Sequence, residues 1–164
     1  MTLKTSDSTI QVNAPSLYDT DFLLWIENTV ACLQAGEFEN LDLENLIEEV
    51  DSLGRSDKRA VSSYLMRLCE HLLKMAFWDS ERANCFRGWD AEIANFRAQV
   101  HEQLDTSPSL RPWLEQDFLK QYQLGRKLFL KSSGLAANVV PEDPFFSLDQ
   151  ALEDDWLPSI NSPE

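Results

Sequence analysis

The side chains able to do chemistry in this chain are few. It has two histidines, His71 and His101, and three cysteines, Cys32, Cys69 and Cys85. On a helix the neighbours of His71 are Arg67, Leu68, Lys74 and Met75, so no carboxylate ligand shares its face and a metal there would need donors from other helices. The cysteines form no CxxC and no metal-ligand spacing, and an odd count on helical segments reads as reduced thiols in a cytoplasmic protein. A glycine-rich phosphate loop, GxSxG, HExxH and the Glu-x-x-His pairs of di-iron bundles are all missing. No cofactor and no metal are therefore expected, and the balance is against an enzyme.

The remaining candidates are polar residues in oily surroundings. Asp57 and His71 fall inside the apolar arc of a long helical stretch, and Glu49 and Arg67 lie together on its edge. Buried polar groups need partners. One reading is structural: a hydrogen-bonded core histidine, with an aspartate that pairs with an arginine or a helix end. The other is a small polar pocket of Asp57, His71, Glu49 and Arg67 in which His71 transfers a proton. The structural reading is preferred.

The element that must position these residues covers residues 42–78. At about 100° per residue, Leu43, Leu46, Ile47, Val50, Leu53, Val61, Tyr64, Leu65, Leu68, Leu72 and Met75 share an arc of roughly 120°, a core face. Residues eighteen apart, such as Leu46 and Tyr64, match in phase across Gly54. The preferred reading is therefore one long helix through Gly54, and the alternative is two helices hinged at Gly54-Arg55-Ser56. Asp42 caps its start and Leu41 staples onto Leu46. Acidic residues precede basic ones along it, the order that the helix dipole favours. A second stripe, Met66, Leu73 and Phe77, points away from the core arc. It is buried within the fold, the favoured reading, or meets another protein or a second copy of the chain.

Around this helix the chain reads as an all-α bundle of four main helices with a short C-terminal one. The first begins near Asp19, stops at Gly36 and should lie antiparallel to the long helix, because the link is short. Residues 79–84 read as a loop. A third helix starts at about Cys85 or Trp89 and ends at Thr106-Ser107-Pro108. A fourth runs from a Ser109 cap to Gly134, with Gly125 on its inward side as a place of close backbone approach or a merely tolerated glycine. Residues 135–146 form an extended connection, and Ser147-Leu148-Asp149-Gln150 is a capping box for the last helix, with Trp156 and Leu157 docking behind it. No stretch reads as a strand.

With 164 residues and 43% hydrophobic content, one domain over residues 17–158 is expected, between a loose N-terminal arm of residues 1–16 and a tail of residues 159–164. A net charge of −14 and a pI near 4.4 argue against nucleic acid and anionic membranes as partners. Acid is concentrated in residues 37–51 and 142–155, which contain no Lys or Arg and suit solubility or a basic partner. No apolar run approaches about 18 residues and no signal peptide is visible, so a soluble cytoplasmic protein is expected. The function these features support best is a non-enzymatic protein-interaction module, with a small-ligand binder or acid–base enzyme around His71 and Asp57 as the alternative.

Four blocks in order, YDTDFLLWIENTVACLQAGEFENLDLENLIEEVDSLGRSDKRAV, HLLKMAFW, SPSLRPWLE and FSLDQALEDDWLP, resemble the domain of unknown function 29 family over residues 17–158. The resemblance implies an almost wholly helical protein from the bacterial, specifically cyanobacterial, cytoplasm. It carries over no activity and no catalytic residue. One departure is visible: the family shows a Trp soon after HLLK, whereas Met75 and Ala76 intervene here before Phe77 and Trp78.

Overall fold

The structure, a computed structural model, describes residues 16–159. The expected arm and tail therefore lie almost wholly outside the described residues. Every regular element is helical: α1 (Leu17–Thr20), α2 (Phe22–Ala35), α3 (Leu43–Phe77), α4 (Asp79–Thr106), α5 (Leu110–Ser133) and α6 (Leu148–Leu152), with short 3-10 turns at Phe38–Asn40 and Ala137–Val139. There is no strand among the described residues. The chain divides into two compact units, residues 1–53 and 54–164.

In the first unit, Asp21 interrupts the expected first helix. Its backbone leaves helical geometry (φ −152°) and its carboxylate accepts from the Leu24 N–H, so the chain stops α1 and caps α2 with one residue. Gly36 ends α2 at φ 74°, a left-handed conformation that only glycine adopts cheaply. Tyr18 Oη donates to Glu49 at 2.6 Å and Trp25 Nε1 donates to Asp42 at 3.2 Å. The pairing runs backward in one segment as it runs forward in the other, so the helices are antiparallel, as the short link predicts.

The helix α3 runs unbroken through Gly54, whose φ is not positive. In the second unit its residues Val61, Leu65, Leu68 and Leu72 are fully buried, and α4 and α5 add Ile93, Val100, Leu114, Tyr122 and Phe129. Each such side chain contributes about 1.5–3 kcal/mol by leaving water. Trp78 stacks on Trp89 (5.7 Å) and His71 lies against Phe96 (5.4 Å), which sets α4 antiparallel to α3. Ser62 meets Asp117 and Glu70 meets Gly125, so α5 runs parallel to α3.

Two expectations need correction. Residues 79–84 are helical, not a loop: Trp78 alone separates α3 from α4, Asp79 and Glu81 complement the helix N-terminus, and Arg82 donates to the Ala76 carbonyl at 3.0 Å at the end of α3. The core face of α3 is also shorter than its periodicity. Leu43, Ile47, Val50 and Leu53 are 57–68% exposed, so only the part from Val61 onward is a core face.

The C-terminal segment returns along α5. Arg126 donates to Val140 O and Ala137 O, Tyr122 Oη to Pro141 O at 3.0 Å, and Phe146 packs on Tyr122 and Phe118. The capping box of α6 forms in full between Ser147 and Gln150. Trp156 and Leu157 pack against the core as expected.

Candidate functional site

His71 is buried on α3, with Nδ1 2.9 Å from the Arg67 carbonyl oxygen. Burial holds its pKa below the usual histidine value; the bond to the Arg67 carbonyl opposes that shift and the Lys74 charge adds to it. Beside His71, Glu70 is 4% exposed and accepts from Arg67 Nη1 at 2.6 Å and Lys74 Nζ at 2.9 Å. Burial opposes ionisation of Glu70, but the Lys74 hydrogen bond and charge, with the charges of Arg67 and His71, outweigh it and lower its pKa.

The four residues suggested as a pocket are not brought together. Arg67 and His71 adjoin one turn apart, and the guanidinium of Arg67 turns to Glu70. Asp57 is exposed, and fourteen residues of helix separate it from His71, about 21 Å at 1.5 Å per residue. Glu49 is half-buried in the first unit and accepts from Tyr18. Periodicity assigns an angle around the helix axis but no height along it, so residues on one arc need not meet.

Of the outer stripe, Leu73 is fully buried and Phe77 packs on the core and against Phe145 (5.4 Å), whereas Met66 is half-buried and lines a cleft beside α5. Among the described residues no cluster of three or more His, Cys, Asp or Glu is placed to hold a metal ion. Burial pushes the Cys69 thiol well above its ordinary pKa, which leaves it unreactive.

The site that geometry does assemble lies in the first unit. An apolar groove of about 370 Å³ runs between α2 and the start of α3, lined by Phe22, Trp25, Ile26, Val30, Leu33, Leu46, Val50 and Leu53, with Thr29 and Glu49 as its polar members. On α2 only Trp25 and Thr29 are buried. Phe22, Ile26, Val30 and Leu33 are 38–46% exposed, and Val50 and Leu53 60% and 68%. Residues 16–53 also carry ten Asp and Glu and no Lys or Arg.

Sequence reasoning passed over the polar anchors of the second unit. Arg97, 2% exposed, donates to the carbonyls of Ala151 (2.9 Å), Asp154 (2.7 Å) and Trp156 (2.6 Å), and His101 Nε2 lies 2.9 Å from Leu152 O. The signal was present, since Arg97 stands one turn after Ile93 and three residues before Val100 on the inward face of α4.

The family model described as domain of unknown function DUF29 matches residues 17–157. No curated protein and no solved structure matches the chain.

Proposed function

This chain belongs to the domain of unknown function DUF29 family, and we propose that it works there as a non-enzymatic protein-interaction module which receives a partner helix in the groove between α2 and the start of α3. The observation that carries this reading is the exposure of that groove, where Ile26 is 38% and Leu53 68% in contact with solvent. Contiguous apolar surface of this kind is rarely left open on a monomer, and its helical walls suit an amphipathic helix that lays its apolar face between them.

Charge selects among occupants. A second copy docked groove to groove would set ten carboxylates of residues 16–53 against the same ten with no Lys or Arg between them, whereas a helix with an apolar face and Lys or Arg on its flanks gains attraction at the rim and a faster encounter. The partner is thus a basic amphipathic helix. The reading places the protein in the cytoplasm, and three unbridged cysteines support that. No helix is long and apolar enough to cross a membrane among the described residues. The alternative pocket around His71 and Asp57 has no geometry in its favour.

The test is fluorescence anisotropy with a labelled Leu/Lys amphipathic helical peptide and its Leu/Glu counterpart. The expected result is binding of the Leu/Lys peptide alone, lost in an Ile26→Asp/Val50→Asp double variant whose helix content is unchanged. Equal binding by the double variant overturns the proposal. So does a dimer in sedimentation that the double variant abolishes, which would assign the groove to a second copy.

A further inference from the structure

A different cleft, wholly within the second unit, gathers positive charge in a strongly acidic chain. It has a volume of about 420 Å³, within the roughly 300–1,000 Å³ range of small-molecule sites, and lies between one stripe of α3 and one of α5. The α3 stripe, Arg55, Lys58, Arg59, Ser62, Ser63 and Met66, has the spacing of a single helical face, and so has the α5 stripe of Trp113, Asp117, Lys120 and Gln121. Four cations thus surround one carboxylate, although the chain as a whole carries 28 acidic residues against 14 basic ones.

The wall of the cleft is fixed by a buried polar network. Asp117 is 8% exposed, and its Oδ2 accepts from Ser62 Oγ at 2.6 Å and from Gln121 Nε2 at 2.7 Å. Trp113 Nε1 donates to the same Ser62 Oγ at 3.2 Å, and Lys58 Nζ rests 5.1 Å from the centre of the Trp113 ring. Lys120 Nζ reaches Asp117 Oδ1 only at 3.7 Å and its side chain is 70% exposed.

An ordinary solvated face would set an acid within reach of each cation, and along α3 Lys58 and Arg59 lack one. On a helix the partners of a lysine or arginine stand three or four residues away. For Lys58 those positions are Gly54, Arg55, Val61 and Ser62, and for Arg59 they are Arg55, Ser56, Ser62 and Ser63, none of them acidic. The one carboxylate in the cleft already accepts two hydrogen bonds. We propose that this cleft is a binding site for a small phosphorylated metabolite, with Lys58, Arg59 and Lys120 receiving the phosphate oxygens and the Ser63 hydroxyl at their side. A phosphate group offers several acceptor oxygens and up to two negative charges, the complement of convergent cations on a rigid wall. A nucleic-acid polymer is disfavoured because the rest of the molecule repels it.

The test is calorimetric titration of the full chain with pyrophosphate, with acetate at matched ionic strength as the control, while NMR follows the Trp113 indole N–H. Saturable binding of pyrophosphate with a dissociation constant of about 1 mM or tighter is expected, together with a shift of that indole signal. The exposed pair Arg59→Gln/Lys120→Gln should weaken binding by about tenfold or more at unchanged melting temperature. A distant pair on α5, Lys127→Gln/Lys131→Gln, removes the same charge and should leave binding within about twofold, because salt screens remote charges. Absence of saturable binding, or equal loss in the two double variants, overturns the proposal. The groove variant Ile26→Asp/Val50→Asp should bind pyrophosphate normally, which separates this site from the interaction surface.

Discussion

Gly125 on α5 lies directly on the backbone of α3 at Met66: a Cβ at position 125 would stand 2.7 Å from the Met66 carbonyl oxygen and 2.9 Å from the Glu70 nitrogen. Both contacts are with helix backbone, which cannot swing aside. Gly125→Ala should therefore destabilise by about 1–3 kcal/mol despite the better helix propensity of alanine, as urea melts would measure. At Gly54 a Cβ meets nothing within 4 Å and φ is not positive, so Gly54→Ala should stabilise by up to about 1 kcal/mol. If Gly125→Ala is neutral, the close packing of α3 on α5 is wrong.

Acid should weaken the fold in two stages. The folded-state pKa of His71 is held below its ordinary 6.5 by burial, so as pH falls through about 6.5 the unfolded chain binds a proton that the folded one resists, and stability drops. Glu70 also has a lowered folded-state pKa, through Lys74, Arg67 and His71 working against burial. Its contribution is present above the ordinary glutamate value of 4.5 and is lost as pH falls below it. In denaturant midpoints measured against pH, His71→Leu should remove the upper stage and Glu70→Gln the lower. An unchanged upper stage in His71→Leu would show that other groups drive it.

Removal of the Arg97 side chain should be costly. Its guanidinium satisfies three carbonyls at and beyond the end of α6 from a position 2% exposed. Arg97→Met fills much of the space but offers no donor, and should cost roughly 3 kcal/mol or more as carbonyls lose their partners. Thermal melts should show a large loss, with Arg97→Lys in between because an ammonium cannot reach all three. A small loss in Arg97→Met would mean that water takes over these bonds.

Trp25 tethers α2. It is the single buried apolar residue of that helix and donates to Asp42 across the turn. Trp25→Ala should raise hydrogen exchange throughout residues 22–35 while residues 61–75 stay protected, a local opening rather than global unfolding. Uniform loss of protection in both stretches would contradict this.

Much of the fold was legible because periodicity and caps are local. The unbroken α3, the stops at Gly36 and Gly134, the capping box at Ser147 and the inward Gly125 all follow from spacing and backbone preference. The illegible part depends on which faces meet. Leu43 and Val61 occupy one arc of α3, yet one is 57% exposed and the other fully buried, since a stripe states what a face can bury and not what lies opposite it. Asp57 and His71 failed as a site for the same reason. The cleft at Lys58 and Arg59 needed Trp113, Asp117 and Lys120 from α5, more than fifty residues away, which no local pattern supplies. Residues 79–84 show no apolar period and are helical nonetheless, because Asp79 and Glu81 stand in the first turn of α4, where the helix dipole favours acids.

The strap of residues 140–157 has a consequence for biosynthesis. Val140, Phe146, Leu148, Ala151 and Leu152 are core residues, and Arg97 binds the carbonyl of Trp156. A product truncated before this stretch contains α3, α4 and α5 but lacks the side chains that seal them. Such a product exposes oily helix faces to proteases and chaperones, so incomplete synthesis of this protein is marked for disposal by its own unfinished interior.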